Sequence, residues 1–172
     1  MSGVVVWVTG KPSSGKSTFA LKLHEALERD GVHAMLLDGD EVRRALVPVP
    51  GYDERGRDDF YATLGNLAAL VARAGAVALV PATAHLRRFR DRAREVAPAF
   101  VEVWVDVPAD EVAARDAKGL YAAVREGRLS GVPGADLEYE APLRPDVVVE
   151  GGFDDEGVQR VATLIRERRS VD

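Results

Sequence analysis

Along this chain, short apolar runs alternate with stretches in which apolar residues recur every three or four positions. Val4-Val5-Val6-Trp7-Val8-Thr9 is continuous and β-branched, and predicts a buried strand over Val4–Thr9. Phe19, Leu21, Leu23 and Leu27 then follow a helical pattern over Ser17–Arg29, stopped by Gly31. The same reading gives strands over Ala34–Leu37, Ala76–Val80, Phe100–Val107 and Asp146–Val149. It gives helices over Asp40–Leu46, Asp58–Ala74, Leu86–Val96, Ala109–Ala114, Gly119–Arg125 and Asp155–Arg168. Residues 126–145 are rich in Gly and Pro and read as irregular. Strands that are apolar throughout, separated by helices, imply an α/β protein: a five-stranded parallel sheet covered by helices on both faces.

Composition narrows the class. A chain of 172 residues is one domain by length, spanning 1–172. A net charge of −5 argues against general nucleic-acid binding, which needs a basic surface. No cysteine is present, so disulfides, thiolate metal sites and cysteine nucleophiles are excluded, in keeping with a reducing cytoplasm. The first apolar run is too short to span a membrane and has no basic lead. The three histidines, His24, His33 and His85, lack metal-ligand spacing.

In a parallel sheet the functional loops follow the carboxyl ends of the strands. Gly10-Lys11-Pro12-Ser13-Ser14-Gly15-Lys16-Ser17-Thr18 sits at the first such end and fits G-x-x-x-x-G-K-[ST]. Gly10 and Gly15 let successive N–H groups turn inward at phosphate oxygens, and the following helix adds its positive end. Lys16 suits the β- and γ-phosphates, and the Ser17 hydroxyl suits Mg²⁺. Chance would produce the four fixed positions in roughly one chain in two hundred of this length. The strand before the loop and the helix after it make chance less tenable still.

Asp38-Gly39-Asp40 follows the second strand. Phosphoryl transfer needs a metal organiser and a proton acceptor, and two carboxylates one residue apart supply both. Alternatively they form a turn in which Asp40 caps the next helix. Arg43 and Arg44, one turn on, either hold an anionic substrate or line a solvated face. Arg90, Arg92 and Arg94 read as a solvated face, because Phe89, Ala93 and Val96 already mark the buried side.

Together these residues resemble the adenylyl-sulfate (APS) kinases, which phosphorylate the 3′-hydroxyl of APS with ATP. The resemblance covers most of the chain. It is carried by Gly10–Thr18, Leu37-Asp38-Gly39-Asp40 with Val42-Arg43, Gly51-Tyr52, Arg57 and Phe100–Val107. Further carriers are Arg115-Asp116-Ala117-Lys118-Gly119-Leu120-Tyr121 and Tyr139-Glu140-Ala141-Pro142. It implies a three-layer P-loop kinase fold with a lid over about 115–145. Gly10, Ser13, Ser14, Gly15, Lys16, Ser17 and Thr18 would bind ATP, with Arg115 and Lys118 from the lid. Ser17 and Asp38 would hold Mg²⁺. Lys16, Asp38 and Asp40 would be catalytic, Asp40 as the base. Asp40, Arg43, Tyr52, Arg57, Lys118 and Leu120 would meet the acceptor, Tyr52 by stacking on its adenine. The resemblance also implies a cytoplasmic enzyme of sulfate assimilation and a homodimer. The short Met1–Val4 lead predicts no N-terminal arm or fused sulfurylase domain.

The departures lie on one side. After Arg57 the family reads Glu-Asn-Ile-Arg-Arg; this chain reads Asp59-Phe60-Tyr61-Ala62-Thr63. Ser-Pro-Tyr-Arg after the third strand becomes His85-Leu86-Arg87-Arg88, and Phe-Thr-Gly-Ile in the lid becomes Val132-Pro133-Gly134-Ala135. Glu41 replaces an Asn. Each missing polar or stacking contact is worth on the order of 1–3 kcal/mol. Arg44, Arg87 and Arg88 are candidates to compensate, with Phe60 and Tyr61 as a rebuilt aromatic wall. The leading reading is therefore an ATP-dependent APS kinase. The alternatives are a kinase of the same fold acting on another small anionic acceptor, and a nucleotide-binding module without catalysis.

Overall fold

The computed structural model describes residues 2–169; Met1 and residues 170–172, the outer ends of the expected domain, lie outside them. Its elements are β1 (Val5–Thr9), α1 (Lys16–Arg29), β2 (Ala34–Leu36), α2 (Gly39–Ala45), α3 (Glu54–Arg73) and β3 (Val77–Pro81). They continue with α4 (Arg87–Val96), β4 (Phe100–Val105), α5 (Ala109–Arg115), α6 (Leu120–Arg125), β5 (Val147–Val149) and α7 (Asp155–Arg169). The five strands form one sheet in the order β2-β3-β1-β4-β5. Every pairing is parallel, with Val6 of β1 opposite Leu79 on one side and Val101 on the other.

The period-two geometry of β1 divides the core. Val4, Val6 and Val8 face Phe19, Leu23 and Leu27 of α1 and Val158, Val161 and Ile165 of α7. Val5 and Trp7 face Phe60, Leu64, Ala68 and Ala72 of α3 and Phe89 and Ala93 of α4. A strand buried on both faces is apolar at nearly every position, which is why Val4–Val8 reads as an unbroken run.

Two boundaries differ from the sequence reading for physical reasons. Helix α3 starts at Glu54 rather than Asp58, because the Asp53 side chain caps it by accepting from the Gly56 N–H at 3.2 Å. Its apolar stripe begins only at Phe60, nearly two turns later. Helix α2 is capped by Asp38, not Asp40: Asp38 Oδ1 accepts from Asp40 N at 3.0 Å and Glu41 N at 3.3 Å.

A third difference concerns α4. Arg90 is 1% exposed rather than solvated. Its guanidinium donates to Glu102 Oε1 at 2.9 Å and also to the carbonyls of Ala84 and Glu140. Arg94 completes the cluster on Glu102 Oε2 at 2.9 Å, while Arg92 pairs with Asp58. Among the described residues, no helix is long and apolar enough to cross a membrane.

Candidate active site

The loops at the carboxyl ends of the strands enclose a cleft of about 1910 Å³. That is roughly twice the upper size of a pocket for one small ligand, volume enough for two. One half is built on the loop between β1 and α1. Ser13 and Gly15 there have positive φ, 64° and 98°, the alternation that turns backbone N–H groups into an anion nest. Gly10 is required by close approach: a Cβ would lie 2.7 Å from Ser14 Oγ and 2.8 Å from the Val105 carbonyl. Ser14 is fully buried behind the loop, and its Oγ has no partner among the described residues.

Lys16 Nζ folds back over the loop and donates to the Lys11 carbonyl at 2.9 Å. Burial, reinforced by Lys118, pushes this ammonium down to about 7, with Asp40 and Asp38 opposing. Phosphate oxygens in the nest would reverse that shift by adding negative charge. Ser17 Oγ donates to Asp38 Oδ2 at 2.7 Å. Asp38 thus links the phosphate loop to the first turn of α2. A hydroxyl and a carboxylate oxygen side by side fit Mg²⁺, which prefers oxygen ligands and keeps phosphate and water oxygens for the rest. Thr18 lines the cleft beside Gly152, whose close packing also holds Gly15.

Asp40 faces the cleft one residue beyond and is ion-paired with Lys118, reaching over from the segment after α5. That segment is anchored at two points. Ala117 N donates to Ser13 Oγ at 3.2 Å, and Tyr121 Oη donates to the Pro12 carbonyl at 2.9 Å. Arg115 pairs with Glu111 and lines the cleft, as does Leu120. Farther along, Asp136 accepts from Gly131 N and Val132 N, shaping the turn that carries buried Val132 into the cleft wall.

The other half is made of side chains. Arg43 is 5% exposed and lies between two rings, 4.3 Å from the Tyr52 centroid and 3.9 Å from Phe60. Its Nη1 donates to the Pro50 and Gly51 carbonyls at 3.1 and 2.9 Å. Arg57 donates through Nη2 to the Gly131 carbonyl at 2.5 Å, tying α3 to the turn before Val132. Tyr52 remains 65% exposed, open to a stacking partner. Phe60 and Tyr61 do form an aromatic wall. Tyr61 stacks on Phe89 at 4.6 Å, and its hydroxyl accepts from Ala84 N at 3.1 Å.

The structure brings nearly all the sequence-predicted site residues to this one cleft, with Gly10 and Ser14 supporting it from behind. Of the candidates to compensate for missing cations, only Arg44 lines it. Arg87 donates to the Ala141 carbonyl, and Arg88 pairs with Asp58 and Glu54. The sequence reading missed the loop after β5. Gly151, Gly152, Phe153 and Asp154 line the cleft beside the phosphate loop, and Phe153 is 80% exposed. The signal was available, since this loop too follows a strand's carboxyl end.

Comparison with known proteins agrees with this geometry. The adenylylsulphate kinase family profile matches residues 2–150. A protein of Sorangium cellulosum described as a probable bifunctional SAT/APS kinase is 40% identical over 97% of this chain; the chain spans 29% of its length. An adenylyl-sulfate kinase of Picosynechococcus is 35% identical, with 96% of this chain and 94% of that protein covered. Among solved structures, an APS kinase of Mycobacterium tuberculosis in complex with AMPPNP and APS superposes with a TM-score of 0.89. It is 35% identical over 96% of this chain and 98% of its own.

Proposed function

The chain belongs to the adenylylsulphate kinase family, and on that premise we propose that it transfers the γ-phosphoryl group of ATP to the 3′-hydroxyl of adenylyl sulfate. The products are ADP and 3′-phosphoadenylyl sulfate. One observation carries the reading: the Ser17–Asp38 contact on the phosphate loop and the Asp40 carboxylate share one turn at the middle of a two-ligand cleft.

In this reading the N–H groups of the loop and Lys16 hold the ATP phosphates. Ser17 and Asp38 hold Mg²⁺, which supplies charge neutralisation on the phosphates. Arg115 and Lys118 cover the donor from the lid, and closure keeps water from accepting the phosphoryl group. Tyr52 stacks on the acceptor adenine, while Arg43, Arg57 and Leu120 shape its site. Asp40 takes the proton of the attacking hydroxyl as the new P–O bond forms and ADP leaves. Freeing Asp40 means breaking its pair with Lys118, which releases the lysine charge toward the transferring phosphate. Sulfate assimilation in the cytoplasm, and a homodimer of the 18.6 kDa chain, accompany this reading; sedimentation equilibrium measures the latter.

A second acceptor reading has its own support. Phe60 is buried under Arg43, and the Thr63 hydroxyl donates to the Asp59 carbonyl. Neither offers a polar group to the acceptor, which favours a different anionic, nucleotide-like substrate. An acceptor panel with ATP and Mg²⁺ decides. APS is expected to reach kcat/KM of at least about 10⁴ M⁻¹s⁻¹. A higher value for another acceptor, with APS far below, would establish the second reading. No transfer to any acceptor would leave a binding module.

A further inference from the structure

Among the side chains lining the cleft that this mechanism does not use is a buried imidazole. His85 follows β3, lines the cleft and is 4% exposed. Its carbonyl accepts from Glu140 N at 2.8 Å, and its ring meets the edge of Phe89 at 5.5 Å. The ring is therefore fixed, yet its nitrogens are unpaired. Nδ1 is sealed from solvent with no partner among the described residues. Nε2 has no partner among the described residues either but is not sealed, and the residue lines the cleft. A buried polar group without a partner destabilises the fold and calls for an explanation.

The protonation state follows from the surroundings. Burial and Arg57 of α3, joined by Arg88 and Arg90 of α4, hold this imidazole down at about 4 against the pull of Glu140. At neutral pH it carries a single proton. On Nδ1 that proton would be a sealed donor with nothing to accept it. An unfilled lone pair is the lesser loss, so the proton belongs on Nε2. The wall beside it is otherwise aromatic, made by Phe60 and Tyr61.

We propose that His85 determines acceptor specificity: its Nε2–H donates a hydrogen bond to an oxygen of the bound acceptor, as a neutral donor where Ala62 and Thr63 provide no cation. The inference rests on the reading of APS as acceptor. It makes His85 a recognition residue with no part in donor binding.

Steady-state kinetics test it on the wild type and three variants, with thermal unfolding of each. His85→Phe keeps a ring against Phe89 and removes both nitrogens. Its KM for APS should rise about tenfold to a hundredfold, with the ATP KM within about twofold. His85→Gln places an amide N–H near Nε2 and should recover most of the loss. His85→Asn, whose amide lies near Nδ1, should not. The split between Gln and Asn keeps the test valid should Phe destabilise the fold. Wild-type protein that leaves APS unphosphorylated overturns the proposed function, and this inference with it. If the wild type is active, three results overturn the role of His85 alone. These are an unchanged APS KM in His85→Phe, equal rises in both KM values, and rescue by Asn rather than Gln.

Discussion

The two halves of the cleft, proposed for donor and acceptor, are built by different means. The donor half is mostly backbone: a nest shaped by Ser13 and Gly15, a glycine at position 10 that nothing larger can replace, and a capped helix start at Asp38. Its few side chains, Lys16, Ser17 and Asp38, lie close in space or sequence. The acceptor half is almost wholly side chain. Arg43 sits between Tyr52 and Phe60, Arg57 reaches the turn before Val132, and His85 hangs from a loop clamped by Glu140. Backbone cradles tolerate little change in their sequence, because conformation and close approach fix the residue type. A side-chain wall can be rebuilt one position at a time, and this is where the sequence reading puts the chain's departures from the family pattern.

If the halves are distinct in this way, damage should sort by half. The largest effect is expected from Lys16→Ala, which removes the ammonium that folds over the phosphate loop. kcat should fall at least about 10³-fold, because a charge aimed at the transferring phosphate is gone. Next is Arg90→Ala, which strips Glu102 of a buried partner and unties Ala84 and Glu140. Chemical denaturation should show a loss of about 3–5 kcal/mol. Acceptor kinetics should suffer in this variant more than donor kinetics, because the released segments carry His85.

Arg43→Lys comes third. Lysine cannot keep both carbonyl bonds and both ring faces, so the acceptor KM should rise about tenfold with the ATP KM unchanged. An equal rise in both KM values would erase the distinction between the halves. A further test concerns pH. His85 has a folded-state pKa of about 4 against an ordinary 6.5, so protonation favours the unfolded chain. Its contribution to stability is complete above pH 6.5 and disappears as pH falls through 4. Thermal unfolding from pH 7 to pH 4 should therefore drop less steeply in His85→Gln than in the wild type.

The sequence made the donor half legible because its motif is local. Nine consecutive residues fix the phosphate loop, and the strand before it fixes the orientation. The sheet was legible too, since strands buried on both faces leave unbroken apolar runs. Asp38 and Asp40 were found as a pair, but which one caps α2 depends on where the helix starts, a matter of two residues that spacing does not resolve. Arg90 was misplaced because its neighbours Phe89 and Ala93 seemed to define the buried face. The clue was Glu102, a lone carboxylate in the otherwise apolar run Phe100-Val101-Glu102-Val103-Trp104-Val105, which needs a buried cation opposite. The role open to His85 was hidden for another reason. Its meaning comes from unpaired nitrogens, and only the fold reveals what a side chain fails to touch.

Asp40 stands where the two halves meet, and the Asp40→Asn variant probes that meeting most directly. Phosphoryl transfer from ATP to APS should be followed alongside equilibrium binding of ATP. The account predicts a fall in kcat of about 10²–10⁴-fold with ATP affinity within about twofold of wild type. Turnover near the wild-type rate, or ATP binding lost together with turnover, would contradict it.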